Sequence, residues 1–396
     1  MKEDRVAVYF FLVLFFGFSF YLFYQSHMRD TVASIALYTK PEVAVEDIVP
    51  PPPPKPPKPI HIATPIPVKA VYMSSWVAGS KTIRERLIKL IDTTEINSVV
   101  IDVKDSTGAV SFKMDDPLLN TINPYENRIV DIKDLITELH DKNIYVIARI
   151  AVFEDPKLAK AKPELAVKKR SGATWKDRKG LSWTDMGSKD VWDYNIAVAR
   201  GAYDAGFDEL NFDYIRFPSD GDMTDIMYPS LEGKKIVRSE ELRKFFEYLN
   251  SNVKEITAVT GQVGAPMSAD LFGMTTTNTD DLNIGQVLEN TIPYFDYVAP
   301  MVYPSHYPPN FNGWKNPADV PYDLIHFVLS AGVDRVVAAS STPDKIRPWL
   351  QDFDLGAVYT PEMVRAQIQA TNDIGLDSWM LWDASNHYSP GALEKD

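Results

Sequence analysis

The chain has 396 residues, 45% of them hydrophobic, with 41 Lys and Arg against 54 Asp and Glu and a formal net charge of −13. That balance argues against a protein that grips nucleic-acid phosphates, which needs clustered cations, and the one dense basic run, Lys168-Lys169-Arg170, reads as a solvated loop face. With no cysteine, disulfides, thiolate nucleophiles and sulfur metal sites are excluded.

Residues 6–24 form an uncharged run of Val, Leu, Phe and Tyr about as long as a helix needs to cross a bilayer. A cleaved signal would have a shorter apolar region and a small-residue cleavage site. This run ends instead in bulky aromatics and Gln25-Ser26-His27-Met28-Arg29, so residues 1–27 are expected to be an uncleaved signal-anchor. Lys2 and Arg5 ahead of the span weigh for a single-pass protein of the cell membrane with its C-terminal bulk extracytoplasmic. Residues 50–59, ten positions of which eight are proline, favour extended polyproline II, a semi-rigid spacer. A ligand for a proline-binding partner is the alternative, but beside a membrane span residues 28–68 read as a proline-rich tether.

From residue 69 to 396, apolar runs alternate with helical patterns, the sign of a parallel sheet covered by helices. Candidate strands are 70–76, 98–104, 144–152, 208–216, 263–270, 296–303, 335–340 and 377–382. Helical segments fall near 82–94, 131–142, 188–205, 238–257, 284–290, 321–330 and 361–373, with Ser188 placed to cap the third. Eight strands without a Gly-rich nucleotide loop fit a (β/α)8 TIM barrel better than a doubly wound sheet.

In such a barrel the functional groups sit at the C-terminal strand ends. The segment Phe-Asp-Glu-Leu-Asn-Phe-Asp-Tyr-Ile-Arg-Phe-Pro, 207–218, ends an apolar strand with Asp213 and Arg216, and buried charge is costly unless it serves a pocket. Alternation along a strand lets Asp102 with Lys104, Asn211 with Asp213, and Ser268 with Asp270 point as pairs toward the mouth. Strands about 4.8 Å apart would bring Asp213 and Asp270 close enough to flank a glycosidic bond, one acid protonated and the other ionised. An Asp at a strand end often caps a turn or helix instead, which suits Asp105 before Ser-Thr-Gly.

Sugar rings stack on aromatics, and Trp76, Tyr303 and Trp382 close their strands while Trp175, Trp183 and Trp314 lie on loops. Asp383 follows Trp382 at the last strand end. The six histidines form no helical pair spaced for a shared metal, although His306 and His387 could face the mouth. No Gly-x-Ser-x-Gly elbow occurs, which argues against a Ser-His-Asp hydrolase, and neither a metal nor a cofactor is expected.

The stretch Ala148–Gly221, with Ala-Arg-Ile-Ala-Val-Phe-Glu-Asp-Pro, Trp-Lys-Asp-Arg-Lys-Gly-Leu-Ser-Trp-Thr-Asp and Asn-Phe-Asp-Tyr-Ile-Arg-Phe-Pro, resembles the putative glycoside hydrolase domain family of TIM barrels. Lys-Ala-Val-Tyr-Met-Ser-Ser-Trp and Val-Val-Ile-Asp-Val-Lys-Asp extend the likeness over residues 69–390. The family's loop commonly reads Trp-x-Asp-Pro, whereas Met186 follows Asp185 here. The resemblance implies a glycosidase-like barrel, with Asp102, Lys104, Asp213 and Arg216 at its motif positions. The reading that follows is a membrane-tethered hydrolase of a cell-surface or environmental polysaccharide, with Asp213 as nucleophile and Asp270 as general acid/base. Trp76, Asp102, Lys104, Asn211, Arg216, Tyr303, Trp382 and Asp383 would bind substrate. A non-catalytic carbohydrate-binding barrel and a structural envelope protein are the alternatives.

Overall fold

The computed structural model describes residues 59–260 and 264–395 together with Gln25, and the apolar run 6–24 and the proline run 50–58 lie outside them. No helix among the described residues is long and apolar enough to cross a membrane.

Eight parallel strands close into a barrel in sequence order: β1 (Lys69–Met73), β2 (Ser98–Lys104), β3 (Tyr145–Ala151), β4 (Glu209–Asp213), β5 (Met267–Phe272), β6 (Tyr297–Met301), β7 (Trp349–Gln351) and β8 (Trp379–Trp382). Ser-Val-Val-Ile-Asp-Val-Lys and Tyr-Val-Ile-Ala-Arg-Ile-Ala are buried at every position, as a sheet covered on both faces requires. The covering helices include α1 (Ser75–Ala78), α2 (Lys81–Ile91), α3 (Ile132–Asp141), α4 (Lys189–Ala205), α5 (Arg238–Thr260), α6 (Pro321–Ala338) and α7 (Pro361–Asp373). Helix α3 buries Ile132, Leu135, Ile136 and Leu139, one stripe at helical spacing. Ser188 occupies the N-cap of α4 but makes no side-chain cap bond.

Two apolar layers result. One lies between strands and helices; the other fills the barrel with Tyr72, Val100, Ile147, Ala299, Trp349 and Met380. The described residues ahead of β1 already pack on this unit. Ile62 N donates to Asp208 at 2.8 Å and Thr64 Oγ1 meets Tyr145 OH at 3.0 Å, so the expected tether boundary at 68 falls inside the packed chain.

The expected strand at 335–340 is a correction. That segment prolongs α6, where Val328, Leu329, Gly332 and Val336 are buried at helical spacing, and the seventh strand is Trp349-Leu350-Gln351. A short apolar run does not distinguish strand from helix, and a three-residue strand shows no period to detect. The first strand also stops at Met73, because Ser74 turns the chain into α1 by accepting from Val77 N at 3.3 Å.

Candidate active site

Arg149 of β3 is the hub of the barrel mouth. Its Nη1 donates to Asp102 Oδ1 at 2.7 Å, its Nη2 to Asp213 Oδ2, and its Nε lies 3.8 Å from Asp270 Oδ2. Strand register builds this cluster: Asp102 pairs with Arg149, Arg149 with Asn211, and Phe212 with Ala269, so Asp213 and Asp270 stand side by side on neighbouring strands. Above the guanidinium lies the Trp382 ring, 4.9 Å away. Burying three carboxylates with one cation is tolerable only because each makes hydrogen bonds.

Asp270 is 1% exposed, and its Oδ1 accepts from Asn211 Nδ2 at 2.9 Å and Trp349 Nε1 at 2.8 Å. Burial first, and the Asp213 charge second, push its carboxyl up to about 8 against the opposing pull of Arg149. Asp213 instead meets Arg149 directly and accepts from Tyr214 N at 2.6 Å. Asp102 accepts from Tyr72 OH at 2.5 Å, and burial raises its carboxyl above the usual range. Burial, then the charges of Asp270 and Asp213, drive the Tyr303 phenol well above its ordinary value.

Asp213 and Asp270 open together into a cavity of about 420 Å³, whose wall includes Arg216, Tyr303, Trp349 and Trp382. Trp382 stacks on Tyr72 at 4.0 Å and meets Trp349 edge-on at 5.5 Å, giving the cavity a fixed aromatic side. The Arg216 guanidinium lies 4.8 Å from both the Trp183 and the Phe272 rings. His306 reaches the same wall, whereas His387 lies away from it and meets Ser385 Oγ at 3.1 Å.

Other sequence candidates sit elsewhere. The β2 ladder shifts register between Asp102 and Lys104, so Lys104 does not share the face of Asp102. It is buried in the strand–helix layer, donating to Asp155 at 2.8 Å and to Asn195 of α4 at 2.7 Å. Trp76 is on α1, 67% exposed, beneath the Arg128 guanidinium at 4.4 Å, and not on the cavity wall. The Asp383 carboxylate is taken up by its own turn, accepting from Ser385 N and Oγ and from His387 N. Asn211 and Asp102 support the acids rather than line the cavity. Trp175 and Trp183 are buried, and Asp105 makes the anticipated turn, accepting from Thr107 N at 2.8 Å.

Arg149 and Glu154 mark the polar end of the third strand in the sequence but were given no site role, and Trp349 was missed altogether. Arg149 carried a signal, a cation inside a strand otherwise apolar. Glu154, just past β3, is 3% exposed with Oε1 unpartnered, and burial, then the Asp177 charge, lift it to about 7. Nothing in the sequence separated it from Asp155, which caps the next helical turn through Leu158 N.

A closed parallel barrel with carboxyl groups converging at the C-terminal strand ends defines a (β/α)8 protein of the glycosidase-like class. The chain belongs to the family described as putative glycosyl hydrolase domain, matched over residues 70–388. Among curated proteins none matches it. A hypothetical protein from Ruminiclostridium thermocellum is 34% identical over 50% of this chain and 96% of that one, with a TM-score of 0.43. The PgaB (BpsB) glycoside hydrolase domain from Bordetella bronchiseptica is 14% identical over 81% of this chain and 96% of its own, with a TM-score of 0.59, and supports the fold. An α-galactosidase from Thermus thermophilus is 12% identical over 85% of this chain and 61% of its own, with a TM-score of 0.49.

Proposed function

We propose that the protein is an exported, membrane-tethered glycoside hydrolase that cleaves O-glycosidic bonds of a cell-surface or environmental polysaccharide. The observation that carries the chemistry is the unequal pair: two carboxyls from adjacent strand ends share one cavity, one ion-paired to Arg149, the other pushed up to about 8. A protonated acid beside an ionised one is what cleavage at an acetal carbon needs. The tether rests on the apolar run 6–24 and the proline run 50–59.

In this reading Asp213 attacks the anomeric carbon while Asp270 gives its proton to the departing glycosidic oxygen. Water, deprotonated by Asp270, then displaces the sugar from Asp213 and restores both groups. Strand neighbours about 4.8 Å apart favour the short carboxyl separation of retaining enzymes, roughly 5–5.5 Å, over the wider inverting one. Tyr303, Trp382 and Arg216 would hold the sugar against the pair.

The test is turnover on a polysaccharide panel by the full chain in detergent, with Asp213→Asn as control. We expect that variant to lose at least about a thousandfold in kcat with its fold intact. Undiminished turnover would remove the assignment. Tight glycan binding by both proteins, with cleavage by neither, would mark a carbohydrate-binding barrel.

A further inference from the structure

We infer that the glycan bound here is anionic, its sugars bearing an oxyanion that Arg216 and the basic hairpin 168–179 receive at the cavity rim. This rests on the hydrolase reading for the location of the sugar, and its own support is separate.

Arg216 is a cation on the cavity wall that feels the Asp213 and Glu154 charges but is bonded to neither. Its Nη1 donates to Phe217 O at 3.1 Å and Ser219 Oγ at 3.3 Å, and among the described residues no carboxylate lies within ion-pair distance of it. Asp213 and Asp270, the nearby acids of the wall, are engaged with Arg149, Asn211 and Trp349 instead. The Trp183 and Phe272 rings, each 4.8 Å from the guanidinium, fix its plane. A planar fork held in this way matches an oxyanion through two hydrogen bonds.

Beside it runs the hairpin. Residues 168–179 carry six cations and one acid in a chain of net charge −13, and Lys179 at its end reaches the cavity wall. Antiparallel bridges Lys168 to Thr174 and Lys176 to Ser182 shape the hairpin, and Lys168 also bridges to Met227 in the loop that follows β4. None of the six makes a side-chain ion pair among the described residues. The acids facing them are spent on backbone: Asp220 accepts from Arg178 N, Asp225 from Arg170 N and Asp222 from Thr224 N. Lys179 and Arg216 line the cavity, and with Glu154, Asp177 and these three counted against them the six hairpin cations and Arg216 still outnumber the acids by two. A solvated loop face would explain the exposed lysines. It does not explain a half-buried, aromatic-clamped arginine turned to the same cavity.

The experiment compares two matched pairs of probes on the full chain in detergent by titration calorimetry: oligogalacturonate against its methyl ester, and a sulfated dextran oligosaccharide against its unsulfated parent. We expect the charged member of at least one pair to bind about tenfold tighter or more, the scale of a charge-assisted bidentate contact. Arg216→Gln should reduce that preference below about twofold, and Lys179→Gln, on an exposed loop, by about threefold. Should Arg216→Gln fail to fold by circular dichroism, the wild-type comparison and Lys179→Gln still decide. Equal affinities within both pairs, or no binding of either charged probe, overturn the inference. So does single-stranded DNA bound as tightly as the charged glycan and unaffected by Arg216→Gln, since that describes indiscriminate cation exchange. Cleavage is scored separately. An anionic preference without cleavage leaves this inference standing and removes the hydrolase reading, and cleavage of neutral glycans without preference does the reverse.

Discussion

Asn211 on β4 donates its side-chain amide to Asp270 on β5 at 2.9 Å, a cross-strand bond that favours the ionised form of a carboxyl that burial holds protonated. If Asp270 is the acid, kcat/KM should fall on the alkaline side with a midpoint near its raised value of about 8. Removing the bond with Asn211→Ala withdraws support from the charged form, so that limb should move up by about one pH unit, the equivalent of one ordinary hydrogen bond. A pH–rate profile of both proteins checks this. An unmoved limb would mean that another group supplies the proton.

Asp270 also makes a stability prediction. Its folded value lies above the unfolded one, so the native state keeps a proton that the unfolded chain releases above about pH 4. Its contribution to stability is therefore full in acid and declines as pH rises toward about 8. Asp270→Asn keeps the shape and an acceptor for Trp349 Nε1 and cannot ionise. It should be inactive yet melt at or above the wild-type temperature at pH 8, and melting curves at pH 5 and pH 8 would show this.

Arg149 is the shared counter-ion of Asp102, Asp213 and Asp270. Arg149→Gln should cost about 3–5 kcal/mol in urea unfolding, the range for stranding a buried charge. Adding Asp102→Asn should recover part of that loss. Additive losses in the double variant would show that the two residues do not act as a pair.

Lys104 tests the distinction between a site residue and a strut. Because it is paired with Asp155 in the strand–helix layer, Lys104→Met should destabilise by about 3–5 kcal/mol. In protein that still folds, KM should remain within a factor of two of wild type. A tenfold rise in KM with unchanged stability would return Lys104 to the cavity.

The two tryptophans first grouped together should separate. Trp382→Ala removes a ring from the cavity wall and should raise KM by about tenfold, the scale of a lost stacking contact with its buried area. Trp76→Ala, on the exposed face of α1, should leave KM and kcat within twofold. Steady-state kinetics on one substrate distinguish the two.

Much of this architecture was legible because a sheet covered on both faces writes itself as long apolar runs, and β2 appears at 98–104 as read. The carboxyl pair was legible for a related reason: charge inside such a run is conspicuous, and alternation assigns its face. Lys104 escaped because a register shift breaks that alternation, and a shift leaves no mark on residue spacing. Trp76 escaped because a serine cap ended its strand three residues early. The seventh strand escaped because three residues carry no period, while the helix before it ends in an apolar stretch that imitates one. Glu154 shows a different limit, since its environment is made by Asp177 and Arg216 from other loops.

That seventh strand has a further consequence. Met301–Trp349 is the single ladder pair between β6 and β7, helped by one bridge between Val298 and Ile346, so Trp349 fastens the thinnest seam of the barrel, and the same indole donates to Asp270. Trp349 therefore acts on Asp270 in two opposed ways: its place in the seam helps bury the carboxyl, which favours the proton, while its N–H bond favours the charged form. One residue thus joins the closing of the ring to the charge of the acid, so a change at position 349 reaches the strand ladder and the carboxyl together.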